Sequence, residues 1–243
     1  MNDTQPKLKI ALGADFLTAF SRLPRQQQKK VREFLDKFTE NPAASTHNYE
    51  KIHGARDPNL RSVRIDGNYR GIVLKPEQGN VYVLLWVDSH DEAYQWAEKR
   101  TCTIHPGTGT MQVVLTEQAA EESLAAAPKP PPPAAPPAAA PKLFDRFSDE
   151  EIVSLGVPET MLEHVRGVAE EGDLDRLERV LPREAFEGVF MLAAGYTPEE
   201  ARGELDIQRV AAVDTTDFAA AMARNGSKRQ FVVVTDASEM EKI

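Results

Sequence analysis

Arg70, His90 and Tyr94 are the side chains in this sequence whose types suit cleavage of a ribose–phosphate backbone. Attack by a 2′-hydroxyl on its own phosphate needs a proton acceptor, a cation for the crowded phosphate charge and a donor for the leaving oxygen. His90, Arg70 and Tyr94 supply those three types in that order. Lys51, Arg61, Arg64 and Arg70 can act as phosphate contacts, and Tyr49 or Tyr94 can stack a base. Each has a plainer reading beside the chemical one. The carboxylates of Asp91 and Glu92 repel a polyanion and suit His90 to starting a helix; Arg70 can pair with Asp66 or Asp88; Tyr94 can be a packed helix tyrosine.

The elements that must hold these residues follow from periodicity. Lys9 to Leu12 reads as a short strand, and Asp15 as the cap of a helix carrying Phe16, Leu17, Phe20 and Leu23 on one face. Pro24 opens a second helix in which Val31, Phe34, Leu35 and Phe38 fall at i, i+3, i+4 and i+7, and which ends near Asn41-Pro42. Strands over 61–65, 69–74 and 81–87 are joined by the turn-forming clusters at Asp66-Gly67-Asn68 and 76–80. The last of these is apolar on both faces and is expected to be central. Asp91 to Lys99 reads as a closing helix packing Ala93, Trp96 and Ala97 inward. The expected front domain, residues 1–115, is an α+β fold: a small antiparallel sheet with an N-terminal helical hairpin on one face.

Residues 116–142 form an Ala/Pro-rich linker whose prolines, from Pro128 to Pro141, exclude a helix interior or a sheet. In polyproline II geometry such a tract reaches about 40 Å. A small all-α bundle is expected over 143–210, with a capping box at Ser148 to Glu151, Asp173 capping Leu174 to Leu181, Pro182 opening a helix and Thr197 starting another. In the loosely ordered tail over 211–243, residues 228–235 read as a lone strand, an edge waiting for more protein.

Composition narrows the function. Lys and Arg number 16 against 13 Asp and Glu in residues 1–100, and 13 against 25 in residues 101–243. The front half can therefore carry a phosphate-binding patch, whereas the rear half is poorly suited to nucleic acid. One cysteine, Cys102, excludes an internal disulfide and a multi-cysteine zinc site, and no cofactor or structural metal is expected. No run approaches the roughly 20 apolar residues that cross a bilayer, and the first residues lack the pattern of a secretory signal, so the expected address is cytoplasmic with no membrane partner.

The front domain resembles the RelE/ParE toxin superfamily. The element order β-α-α-β-β-β-α and the string Arg64-Ile-Asp-Gly67-Asn-Tyr69-Arg70 carry the likeness, the string being one residue longer than the family's common Arg-x-Gly-x-Tyr-Arg form. His90 stands four before Tyr94, where the family tends to place a basic residue. The wider chain is similar to the N-terminal accessory region of bacterial UvrD/Rep-type superfamily 1 DNA helicases, on Asn48 to His53, Val81 to Asp88, Leu143 to Ile152, Asp173 to Leu177 and Leu192 to Glu200. The resemblance implies a nucleic-acid-binding or regulatory region, with DNA or RNA as partner and a helicase motor in a longer version. The sequence itself holds no Gly-x-x-x-x-Gly-Lys-Ser/Thr phosphate loop, so no ATPase activity is expected of it. Two alternatives stand beside this: a toxin of a toxin–antitoxin pair, a ribosome-dependent mRNA endoribonuclease with an antitoxin partner; and a protein-interaction scaffold on a catalytically retired RelE fold.

Overall fold

A computed structural model describes residues 9–77, 80–126, 142–208, 210 and 212–234. In chain order the elements begin with β1 (Lys9–Gly13), α1 (Ala14–Arg22), α2 (Arg25–Glu40), β2 (Glu50–Lys51), β3 (Leu60–Arg64) and β4 (Tyr69–Leu74). There follow β5 (Val81–Ser89), α3 (His90–Glu98), β6 (Arg100–Ile104), β7 (Met111–Leu115), α4 (Glu117–Ala126), α5 (Asp149–Val153) and α6 (Leu162–Arg166). The rest are α7 (Leu174–Glu178), α8 (Arg183–Ala193), α9 (Pro198–Glu204), α10 (Phe218–Met222), α11 (Asn225–Gln230) and β8 (Phe231–Val234). The chain divides into two compact units: Met1–Cys102 with Asp217–Ala223 and Gln230–Ile243, and Thr103–Thr216 with Arg224–Arg229.

The first unit is built on a mixed six-stranded sheet in the order β2-β3-β4-β5-β1-β8. The i, i+3, i+4, i+7 stripe of α2 puts Val31, Phe34, Leu35 and Phe38 in the core, where they meet Phe16, Ala19 and Phe20 of α1. Both helices cover one sheet face, whose inward residues include Ile10, Leu12, Val63, Val73, Tyr82 and Leu84. Burying Phe16 and Phe38 there contributes about 1.5–3 kcal/mol each. On the opposite face α3 packs on β4 and β5, and Trp96 stacks on Trp86 with ring centroids 5.5 Å apart. As expected of a strand apolar on both faces, β5 is central.

The sheet is not the antiparallel one expected. β1 runs parallel to β5, with Ile10 opposite Tyr82, because the chain between them returns through the α1–α2 hairpin and the β2–β4 meander, a crossover long enough to restore the strand direction. Residues 228–235 are not a lone strand either. α11 takes Lys228 to Gln230, and β8 pairs antiparallel with β1, Leu12 opposite Val232. A partner more than two hundred residues away leaves no local trace.

The second unit is helical around Phe144, Ile152, Leu155, Val165, Val189 and Leu192, all fully buried. The capping box forms: Ser148 Oγ accepts from the Glu151 amide at 3.2 Å, and Glu151 Oε2 accepts from the Ser148 amide at 2.7 Å. Thr197 and Glu200 repeat it at the start of α9. Asp173 does not cap α7, which ends at Glu178; its Oδ2 accepts from the Ala169 amide in the preceding loop instead. The front domain expected to reach residue 115 gives way to a division at Cys102/Thr103, with β7 in the helical unit. The expected linker opens with a helix, since α4 occupies Glu117–Ala126 and buries Ala119 and Ala120; residues 127–141 lie outside the described residues. The tail expected to be loosely ordered holds α10, α11 and β8, and its last residues, 235–243, also lie outside them. Among the described residues no helix is long and apolar enough to cross a membrane.

Candidate nucleic-acid interface

The β3–β4 turn is shaped by Asp66. Its Oδ1 accepts from the amides of Asn68 and Tyr69 at 2.8 and 2.9 Å, and its Oδ2 accepts from Lys30 Nζ of α2 at 2.7 Å. Desolvation pushes this carboxyl upward, but the Lys30 bond and the two amides together hold it below the usual carboxylate value. The turn in turn anchors α3, because the Asn68 carbonyl accepts from the His90 amide at 2.8 Å.

Alternation along the strands then sorts the candidate residues onto two faces. Ser62, Arg64, Arg70 and Asp88 lie on the α3 side, with Arg64 opposite Arg70 and Arg70 opposite Asp88. Lys51 and Arg61 pair with each other one step out of phase, on the Val63 side of β3. The six candidates are therefore not one patch. Arg61 also folds back on its own strand, where its Nη1 donates to the carbonyls of Pro58 and Leu60. Tyr49 is drawn into the helical face: its hydroxyl donates to the Pro42 carbonyl, and burial, with Tyr82 beside it, raises that hydroxyl above its usual value.

Arg70 is 7 % exposed, and its Nη1 donates to the backbone carbonyls of Asp66 and Tyr69, each at 3.0 Å. Neither of the carboxylates suited to it by sequence is its partner. Asp66 is held by Lys30, and Asp88 Oδ1 accepts from the Ser89 amide at 2.7 Å. Among the described residues Arg70 has no ion pair, and its buried Nε–H has no acceptor. A buried guanidinium without a counter-charge is costly and favours an anion beside it.

On the same side His90 and Tyr94 stack with ring centroids 4.3 Å apart. His90 Nδ1 lies 2.8 Å from Asp91 Oδ1, and the Tyr94 hydroxyl is 3.0 Å from Ser62 Oγ. One turn of helix produces the stack, since positions i and i+4 share a face. The His90 ring covers the Tyr94 ring, and the Ser62 hydroxyl engages the phenol. Ser62 has no signal in the sequence beyond being a small polar residue between Arg61 and Val63 in a short strand. Among the described residues no three His, Cys, Asp or Glu side chains stand close enough to hold a metal ion.

Compared with known family models, curated proteins and solved structures, the chain matches none.

Proposed function

We propose that the chain is an accessory nucleic-acid-binding module whose α3-side sheet face takes a phosphate of the backbone, with Arg70 as receptor and Arg64 beside it. The observation that carries this reading is the buried Arg70 guanidinium with an unused Nε–H and no carboxylate partner. A phosphate oxygen is the acceptor whose charge and fork geometry complement it. The element order and the helical hairpin on one sheet face support the RelE/ParE-like reading of this unit; the helicase-accessory reading rests on the resemblance of the sequence.

The test is fluorescence-anisotropy binding to labelled single-stranded DNA and RNA between 50 and 200 mM salt. Binding that weakens steeply with salt, without cleavage of the strand, is expected. Salt-independent binding, or none at the lowest salt, overturns the proposal.

A second reading, a ribosome-dependent mRNA endoribonuclease, is favoured by the His90–Tyr94 stack on the Arg70 side of the sheet. It predicts cleavage of messenger RNA on translating ribosomes and its loss in His90→Ala.

A further inference from the structure

A second constellation lies wholly within the helical unit. Glu184, in the first turn of α8, is completely buried, and neither of its carboxyl oxygens has a hydrogen-bond partner in normal geometry. The Thr110 hydroxyl, near enough to favour the charged form, is engaged with Thr108 Oγ1 at 2.7 Å. A Cβ on Gly226 would press on both Glu184 oxygens, so the backbone of α11 is laid directly over the carboxyl. Ser227 adds a second attachment, its Oγ accepting from the Met111 amide of β7 at 2.8 Å.

We propose that the Glu184 carboxyl is a proton-operated latch: neutral, it lets the Arg224–Arg229 segment close over it, and ionised, it releases that segment. The groups that would favour a charge on the carboxyl are engaged elsewhere. Arg229, the cation that faces it from α11, is already bound to Glu187 at 2.7 Å, and Glu187 faces Glu184 from its own helix as a like charge. Thr110 and Gln112 lie nearby, the Gln112 amide donating to the Gly156 carbonyl at 2.8 Å. A protonated acid is inexpensive to bury there, whereas a carboxylate under Gly226 is desolvated with no donor.

Desolvation is the largest influence and pushes Glu184 from 4.5 up to about 7, Arg229 and Thr110 opposing the rise and Glu187 adding to it. Because the folded value lies above the unfolded one, the closed state holds the extra proton between them. Closure is therefore strongest below 4.5 and is lost as pH rises to about 7, beyond which it changes no further.

The test is amide hydrogen exchange on the full chain from pH 5 to pH 8, read by mass spectrometry over residues 224–229 and corrected for intrinsic exchange rates. Protection is expected to fall by roughly a hundredfold towards the alkaline end, and to stay high and flat in Glu184→Gln. His105 supplies the opposing outcome. Its Nδ1 accepts from the Gly107 and Thr108 amides and burial lowers its affinity for a proton, so its titration opens the structure towards acid. Protection lost towards acid, or unchanged across the range, overturns the latch. Should Glu184→Gln fail to fold, carbon-13 titration of the wild-type carboxyl decides: a midpoint near neutrality supports the latch and one below about 5 overturns it.

Discussion

Arg64 and Arg70 stand opposite each other across the β3–β4 ladder, a cross-strand pair of cations on the α3 side of the sheet. Like charges directly opposed weaken a sheet, and here one of the two is buried with a donor unused. The repulsion subtracts from what the Arg70 bonds to the Asp66 and Tyr69 carbonyls contribute, and an anion beside the pair removes it.

Separating the two arginines by mutation gives different results. Arg64 is exposed, so Arg64→Ala changes stability by no more than about 0.5 kcal/mol in urea unfolding. In the binding assay it reduces the salt slope by about 0.7–0.9, the share of one phosphate contact. Arg70→Ala removes the bonds to the Asp66 and Tyr69 carbonyls and costs about 1–3 kcal/mol of stability, along with most of the binding.

Ser62 and Tyr94 form a bond that a double-mutant cycle can isolate. Ser62 is buried and its hydroxyl meets the Tyr94 phenol at 3.0 Å, so Tyr94→Phe leaves it unsatisfied and costs about 1–3 kcal/mol. Ser62→Ala in the Tyr94→Phe background is expected to recover part of that loss. Simple additivity of the two changes would show that the contact contributes nothing.

Gly226 inverts the usual rule for glycine in a helix. Gly→Ala there normally stabilises by about 0.5–1 kcal/mol. Here the new methyl collides with the Glu184 carboxyl, and Gly226→Ala destabilises by about 1–3 kcal/mol. In a Glu184→Ala background the same substitution is expected to be neutral or favourable. Thermal unfolding of the four proteins measures the reversal.

The two faces of β8 are unequal. Phe231 is buried, and Phe231→Ala is expected to cost about 3–5 kcal/mol. Val232 is 44 % exposed, so Val232→Lys stays within about 0.5 kcal/mol and leaves the oligomeric state in size-exclusion chromatography unchanged unless this edge pairs with a second strand.

What was legible in the sequence was local. The stripe of α2, the inward residues Ala93, Trp96 and Ala97 of α3, the central place of β5 and the Ser148 capping box all rest on spacings of a few residues. What was not legible depends on distant chain. Strand direction in the β1–β5 pair follows from a crossover, and the partner of β8 from a fold that closes on itself. The candidate site divided in the same way. Asp66 and Asp88 could be named as carboxylates for Arg70, but that Lys30 would take Asp66 and leave Arg70 without one required α2 to be laid across the sheet. Glu184 carries no mark in the sequence that sets it apart from any acid in the first turn of a helix; the backbone at Gly226 and Gly156, from two other parts of the chain, lies against its carboxyl. The alanines of α4 read as spacer because alanine has no pattern to show, and only the packing of Ala119 and Ala120 distinguishes helix from linker.

Because Leu12 meets Val232, the sheet cannot be completed until nearly all of this sequence has left the ribosome. At about 5–20 residues per second, translation keeps β1 waiting for β8 for on the order of ten seconds or longer. Once β5 has emerged, β1 has it on one side and bare backbone on the other, an apolar edge open to any neighbouring strand. The nascent chain is thus most prone to aggregate before its last described strand arrives, and anything that slows synthesis of the helical unit lengthens the exposure.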